Sequence, residues 1–210
     1  MLRSRVVLFL LLALATSGLV SAARATDVSG TITTTKWTKA NSPYRVVGAI
    51  AVPPGNTLTI EPGVDVLFDS TAQILVSGRL VAIGTETDSI RFLMGTTDWR
   101  GIRISGGDSS TLAYVRISGS ISTVFSGPNG AGIGITGANT RLGISHSVIS
   151  GNQNGMSGGG IAVGDSARLT MRRCAIRQNP SEPTGIGLFQ ARRPNAKPPA
   201  SRTSSAMISQ

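Results

Sequence analysis

The sequence predicts an all-β solenoid with three short strands per coil. Two observations carry that expectation: a repeat at a fixed offset, and strand-length apolar runs recurring in three series. Arg141, Leu142, Ile144, Val148, Ile149 and Asn152 are answered 27 residues later by Arg168, Leu169, Met171, Ala175, Ile176 and Asn179. A period in the twenties built on β-type runs marks a stacked solenoid.

The first series is Gly48 to Val52, Ile74 to Val76, Gly101 to Ile104, Gly132 to Ile135, Gly160 to Val163 and Gly185 to Leu188. The second is Thr57 to Ile60, Leu80 to Ile83, Thr111 to Tyr114, Leu142 to Ile144 and Leu169 to Met171. The third is Val64 to Phe68, Ile90 to Phe92, Val115 to Ile117, Val148 with Ile149, and Ala175 with Ile176. Each run is short, β-branched or leucine-rich, and bounded by Gly, Asn, Asp, Ser or Pro, as strands are. Asn129-Gly130 and Asn154-Gly155 are the two tight hairpin signals in the chain, too few for a hairpin between every pair of strands, so like strands one coil apart pair in parallel rather than as hairpins. Rungs about 4.8 Å apart then stack aliphatic residues into a continuous core. Asn152 and Asn179, with Gly30, Gly63, Gly78, Gly106, Gly107 and Gly119, are read as corner residues tolerating positive φ.

The two ends read differently. Arg3 and Arg5 precede an apolar run from Val6 to Ala15, and Ala23-Arg24-Ala25 has the small-x-small form of a cleavage site. Residues 1–25 are therefore expected to be a signal peptide, since a membrane span needs roughly 20 apolar residues. Residues 26–47 lead into the first coil, 48–190 form the solenoid, and 191–210 are a Pro- and Arg-rich tail without strand pattern, expected to be disordered. The abrupt change after Phe189 leaves the last rung without a polar cap. It favours a truncated or frame-shifted product of a longer protein over an end covered by another molecule.

The formal charge of +10 raises the question of nucleic acid. Much of it lies in the leader and the tail, and the body from Thr26 to Gln190 is only +3. Its arginines are spread along the chain without the aromatic interleaving of a phosphate-tracking groove, so no nucleic-acid partner is expected. Cys174 is the single cysteine, so no internal disulfide exists; it reads as a small half-buried thiol opposite Ser147.

Gly158 to Val163, followed by Leu169 to Asn179, resembles the repeat of exported bacterial right-handed parallel β-helix proteins of the pectin-lyase-like fold. The run Tyr44 to Phe68 resembles their opening coils, and Trp99-Arg100-Gly101-Ile102 their later pattern. The resemblance covers residues 28 to 189 and implies a right-handed, single-stranded parallel β-helix of about six coils. It specifies fold more than activity.

That fold includes polysaccharide lyases and hydrolases, whose chemistry needs clustered carboxylates, with or without calcium, and a basic residue. The outward row of the first series, Ala51, Leu75, Arg103, Gly134, Ala162 and Gly187, holds no carboxylate. Asp108 and Asp165 are the candidate catalytic pair, each four residues before a second-series leucine, Leu112 and Leu169. Two rungs would separate them by about 9–10 Å, near the upper limit for an acid/base pair that admits water. Asx-turn corners are the favoured reading of both. Asp65 and Asp69 fall short of the six to eight oxygens of a calcium site, and His146 reads as a surface strand residue. Trp37, Tyr44, Trp99 and Tyr114 are assigned to packing. No cofactor and no metal is expected.

The expected function is a non-catalytic exported module with a structural, adhesive or carbohydrate-binding role at the cell surface or outside the cell. Its partner would be a polysaccharide or another surface protein, with no transmembrane span in the mature chain. The alternative is a polysaccharide lyase or glycoside hydrolase, or its inactive remnant, using Asp108 and Asp165.

Overall fold

Strands form where an aliphatic residue falls at every second position, because successive side chains on a strand point to opposite faces. The computed structural model describes residues 24–122, 131–154, 158–180 and 186–189. The signal peptide and tail expectations fall outside these, apart from Arg24 and Ala25.

The described chain is strand and turn with one 3₁₀ turn, Lys39–Asn41. Two short strands, β1 (Thr26–Thr31) and β2 (Thr35–Trp37), precede the nine-residue β3 (Tyr44–Val52). From β3 the chain winds through three rows. Row one continues the second half of β3 with β6 (Gln73–Val76), β9 (Ile102–Ser105), β13 (Ile133–Thr136), β17 (Ile161–Gly164) and β20 (Ile186–Phe189). Row two stacks β2 with β4 (Thr57–Ile60), β7 (Arg79–Ile83), β10 (Ser110–Ala113), β14 (Arg141–Ser145) and β18 (Arg168–Arg172). Row three continues the first half of β3 with β5 (Asp65–Phe68), β8 (Ile90–Met94), β11 (Val115–Ser118), β15 (Val148–Ser150) and β19 (Ala175–Arg177).

Every one of these pairings is parallel. Because β3 belongs to rows one and three at once, those rows form one 12-stranded sheet, while row two is a separate 6-stranded sheet. A minor pair, β12 (Ile121–Ser122) with β16 (Gln153–Asn154), follows row three. β1 lies in parallel along both halves of β3 and covers the first rung. The three expected series are these three rows.

Inside the coils, Ile50, Ile74, Ile102, Ile133 and Ile161 lie in register on successive rungs, all fully buried. Burying each such side chain stabilises by roughly 2 kcal/mol, and the ladder repeats that gain per coil. Aromatics stack within the same core. Phe68 lies 3.9 Å from Trp99 and 6.5 Å from Phe92 between ring centroids. Trp99 also donates its indole N–H to the Ser118 carbonyl at 3.0 Å. Trp37 stacks on Tyr44 at 4.8 Å, and the Tyr44 hydroxyl accepts from the Thr38 N–H. These three side chains pack, as expected.

The corners depart from the sequence reading. Neither Asn152 nor Asn179 has positive φ; the left-handed residue is the one before each, Gly151 (φ 66°) and Gln178 (φ 54°), with Gly119 (φ 75°) one coil earlier. The asparagines are instead buried, and they line up with Ser120 as a hydrogen-bonded ladder. Asn152 Nδ2 donates to the Ile117 carbonyl at 3.1 Å, and Asn179 Nδ2 donates to the Ile149 carbonyl at 3.0 Å, the same bond one coil on. Bridging backbone groups of adjacent coils requires a side chain that both donates and accepts, which asparagine supplies in one plane. Gly78 also lacks positive φ; a Cβ there would collide with the carbonyl oxygens of Pro53 and Asn56, so close approach demands that glycine.

Candidate functional site

Chemistry on a solenoid depends on which side chains the register places on neighbouring rungs, so the candidate carboxylates are tested by register first. Leu142 pairs with Leu169, as the 27-residue repeat requires, but Leu142 pairs with Ser110 on the other side, not with Leu112. Leu112 faces Ile144 instead. The coil holding Asp108 is therefore offset by two positions from the alignment used to match it with Asp165. Asp108 and Asp165 occupy non-equivalent turn positions, both exposed, and Asp165 is a left-handed corner with φ 51°.

Four other carboxylates, Glu61, Asp65, Asp69 and Asp88, are held by cations. Asp65 lies opposite Arg91 on the next rung, and the guanidinium grips both carboxylate oxygens. Asp69 accepts from Arg45 Nε at 3.0 Å and pairs with its Nη2 at 2.8 Å. Both aspartates considered for calcium are thus engaged by arginine. Glu61 pairs with Lys36 at 2.6 Å and accepts from the Lys39 N–H, while Lys39 reaches Asp88 at 2.6 Å. The Lys36 and Lys39 contacts hold the Glu61 carboxyl below the usual carboxylate range. The Asp69 contact, in the same way, raises the Arg45 guanidinium above its usual value.

Beside two of these pairs an open cleft of about 330 Å³ is lined by Gly63, Thr87, Asp88, Ser89, Arg91 and Arg116. Arg91 is tied to Asp65 and Asp88 to Lys39, whereas Arg116 has no carboxylate within ion-pair distance among the described residues. The lining offers hydroxyls and guanidinium groups for hydrogen bonding. No group of three or more His, Cys, Asp or Glu suited to a metal occurs among the described residues.

Row one has the outward order expected: Ala51, Leu75, Arg103, Gly134, Ala162 and Gly187 lie in register. Arg103 is half-buried there and donates to the Ile102 carbonyl at 3.3 Å, without a carboxylate partner among the described residues. Burial brings its guanidinium down to about 10.

His146 is not a strand residue. It occupies a left-handed corner equivalent to Tyr114 and Arg173, with φ 50°, 50° and 52° respectively. The His146 ring stacks on Tyr114 at 4.7 Å, and Arg173 Nη1 lies 3.2 Å from its Nε2. Tyr114 packs as expected, though on a corner and on a histidine. Cys174 is half-buried below this corner, its thiol near the Arg172 and Ile144 carbonyls.

A family model described as a right handed beta helix region matches residues 88–197, more than half of the chain. The chain belongs to the right-handed β-helix family. Its parallel rows and nearly closed sheet are that architecture, and the family is one of structural and carbohydrate-related folds. The match begins in the second coil and runs seven residues into the segment read as a tail. The chain is also similar to Protein bark beetle of Drosophila melanogaster, 51% identical over 47 residues. That stretch is 22% of this chain and 2% of the fly protein, so the chain matches only a small fraction of that relative's length. No solved structure matches significantly. No helix among the described residues is long and apolar enough to cross a membrane.

Proposed function

We propose that this β-helix is a non-catalytic module, exported through a cleaved signal peptide, with a structural, adhesive or carbohydrate-binding role at the cell surface or outside the cell. The commitment of four of its carboxylates to ion pairs supports this reading. Glu61, Asp65, Asp69 and Asp88 each hold a cation that ties neighbouring coils or the 3₁₀ turn together. A carboxylate held in an ion pair across coils is occupied structurally and is not placed to reach a substrate. Asp108 and Asp165 occupy non-equivalent turn positions, which favours corner roles over an acid/base pair. What the surface does offer is a hydroxyl- and arginine-lined cleft on a rigid parallel scaffold, suited to hydrogen bonding a hydroxylated chain.

The test is a panel of acidic and neutral polysaccharides, scored for binding by affinity electrophoresis and for turnover by new reducing or unsaturated ends. Binding without turnover supports the module. Turnover abolished by Asp165→Asn would replace it with the lyase or hydrolase alternative. Mass spectrometry of the secreted protein should find the mature N-terminus at Thr26; retention of residues 1–25 would refute the export reading.

A further inference from the structure

Charge is segregated along the solenoid axis. Residues 24–108 carry eight Lys or Arg and eight Asp or Glu, and all four ion pairs among the described residues lie there. Residues 109–180 carry six arginines against a single carboxylate, Asp165, and no ion pair among the described residues.

Four of those arginines gather on and beside the outer face of row two. Arg141 and Arg168 are direct cross-strand partners, so their backbones stand one rung apart, about 4.8 Å, with both exposed side chains on the same face. Like charges directly opposite on a sheet are destabilising. Along β18, Arg168, Thr170 and Arg172 all point outward and are exposed while Leu169 and Met171 point inward. That sets Arg168 and Arg172 about 13 Å apart along the strand. Arg173 stands at the adjoining corner, placed by its contact with His146. Between these cations the in-register residues are small, Thr111, Gly143 and Thr170, leaving a shallow trough along the axis with arginine on both sides at the last rung.

We propose that this face of the C-terminal coils binds an extended anionic polysaccharide, its carboxylate or sulfate groups bridging Arg141, Arg168, Arg172 and Arg173. The proposal rests on the carbohydrate-binding reading and specifies its ligand class. A polyanion relieves the repulsion between Arg141 and Arg168, and a row of charges in a trough fits a chain. Single-stranded nucleic acid fits less well, because such binders rely on bases stacking on aromatic faces. Here the Tyr114 and His146 rings stack on each other with 9° between their planes, so each occupies a face of the other.

The test measures binding of the full chain to dextran sulfate, polygalacturonate, unmodified dextran and single-stranded DNA at rising salt, for wild type, Arg168→Gln/Arg172→Gln and the control Arg100→Gln. Circular dichroism verifies that each variant is folded. The expected result is salt-sensitive binding to at least one of the anionic polymers over dextran, weakened at least tenfold in the double variant and unchanged in the control. Equal binding to dextran, or indifference to the double substitution, would overturn this inference while leaving carbohydrate binding intact. Tighter binding to DNA would overturn the ligand class. Binding to no glycan at all would overturn both readings.

Discussion

Asn152 and Asn179 meet side chain to side chain inside the solenoid, Asn152 Nδ2 donating to Asn179 Oδ1 at 3.0 Å while the Asn152 N–H donates to the same oxygen at 3.0 Å. Asn152 Oδ1 in turn accepts from the Ser120 N–H at 3.1 Å and hydroxyl at 2.8 Å. Three coils are thereby joined through one buried polar column. Its value lies in full satisfaction: each buried amide group in the column has a partner, whereas a member removed would leave others unpaired.

Replacing Asn152 by Ala should therefore destabilise the chain by about 2–4 kcal/mol, as removal of a buried network member does. Urea unfolding followed by far-UV circular dichroism measures it. A loss under about 0.5 kcal/mol, the range of surface substitutions, would show that the column adds nothing.

Arg103 should be a residue the fold keeps at a cost. Desolvation lowers its pKa from the usual guanidinium range to about 10. A folded value below the unfolded one means the folded chain releases this proton first, so this group's contribution to stability rises as pH climbs between those two values. Below about 10 the cost of the desolvated cation is fully present. Arg103→Met should accordingly raise the unfolding free energy by about 1 kcal/mol at pH 7, with the difference from wild type narrowing above pH 10. A lower melting temperature for the variant at pH 7 would show that Arg103 has a stabilising partner.

Glu61 should contribute to acid lability. Its pKa is lowered first by the Lys36 side chain and then by the Lys39 N–H. A carboxylate with a depressed folded pKa stabilises fully above its unfolded value, here 4.5, and that contribution is lost as pH falls through the lower folded value. Melting curves of Glu61→Gln should start slightly below wild type at pH 7 and fall less steeply below pH 4.5. Parallel decline of the two chains would mean that other groups govern the acid limb.

The rows were legible because alternation and the repeat both report on burial. Isoleucines such as Ile102, Ile133 and Ile161 recur at the inward positions of row one, and the outward row from Ala51 to Gly187 follows from them. The second-row register of β10 was not legible. Ser110 is buried in the slot that Leu142 and Leu169 fill, and its hydroxyl accepts from the Leu80 N–H at 3.0 Å. Matching leucine to leucine slides that strand by two positions, and a slide of two keeps inside inside, so the apolar pattern carries no warning. The supposed symmetry of Asp108 and Asp165 came from that slide.

The asparagine column was hidden for a related reason. A polar residue at a coil corner has the same signature in one dimension whether it turns the chain outside or bonds neighbouring coils inside. Here Gly151 and Gln178 take the turn, and Asn152 and Asn179 face inward.

Local pattern, then, was enough for the three-sided solenoid, since apolar periodicity and short strand length are properties of each segment alone. The pairing of Asp65 with Arg91, the burial of Asn152 against Asn179 and the crowding of Arg141 against Arg168 belong to the tertiary structure. Each joins residues more than twenty positions apart in the chain, and only the rung spacing of the coiled backbone brings them within a few ångströms.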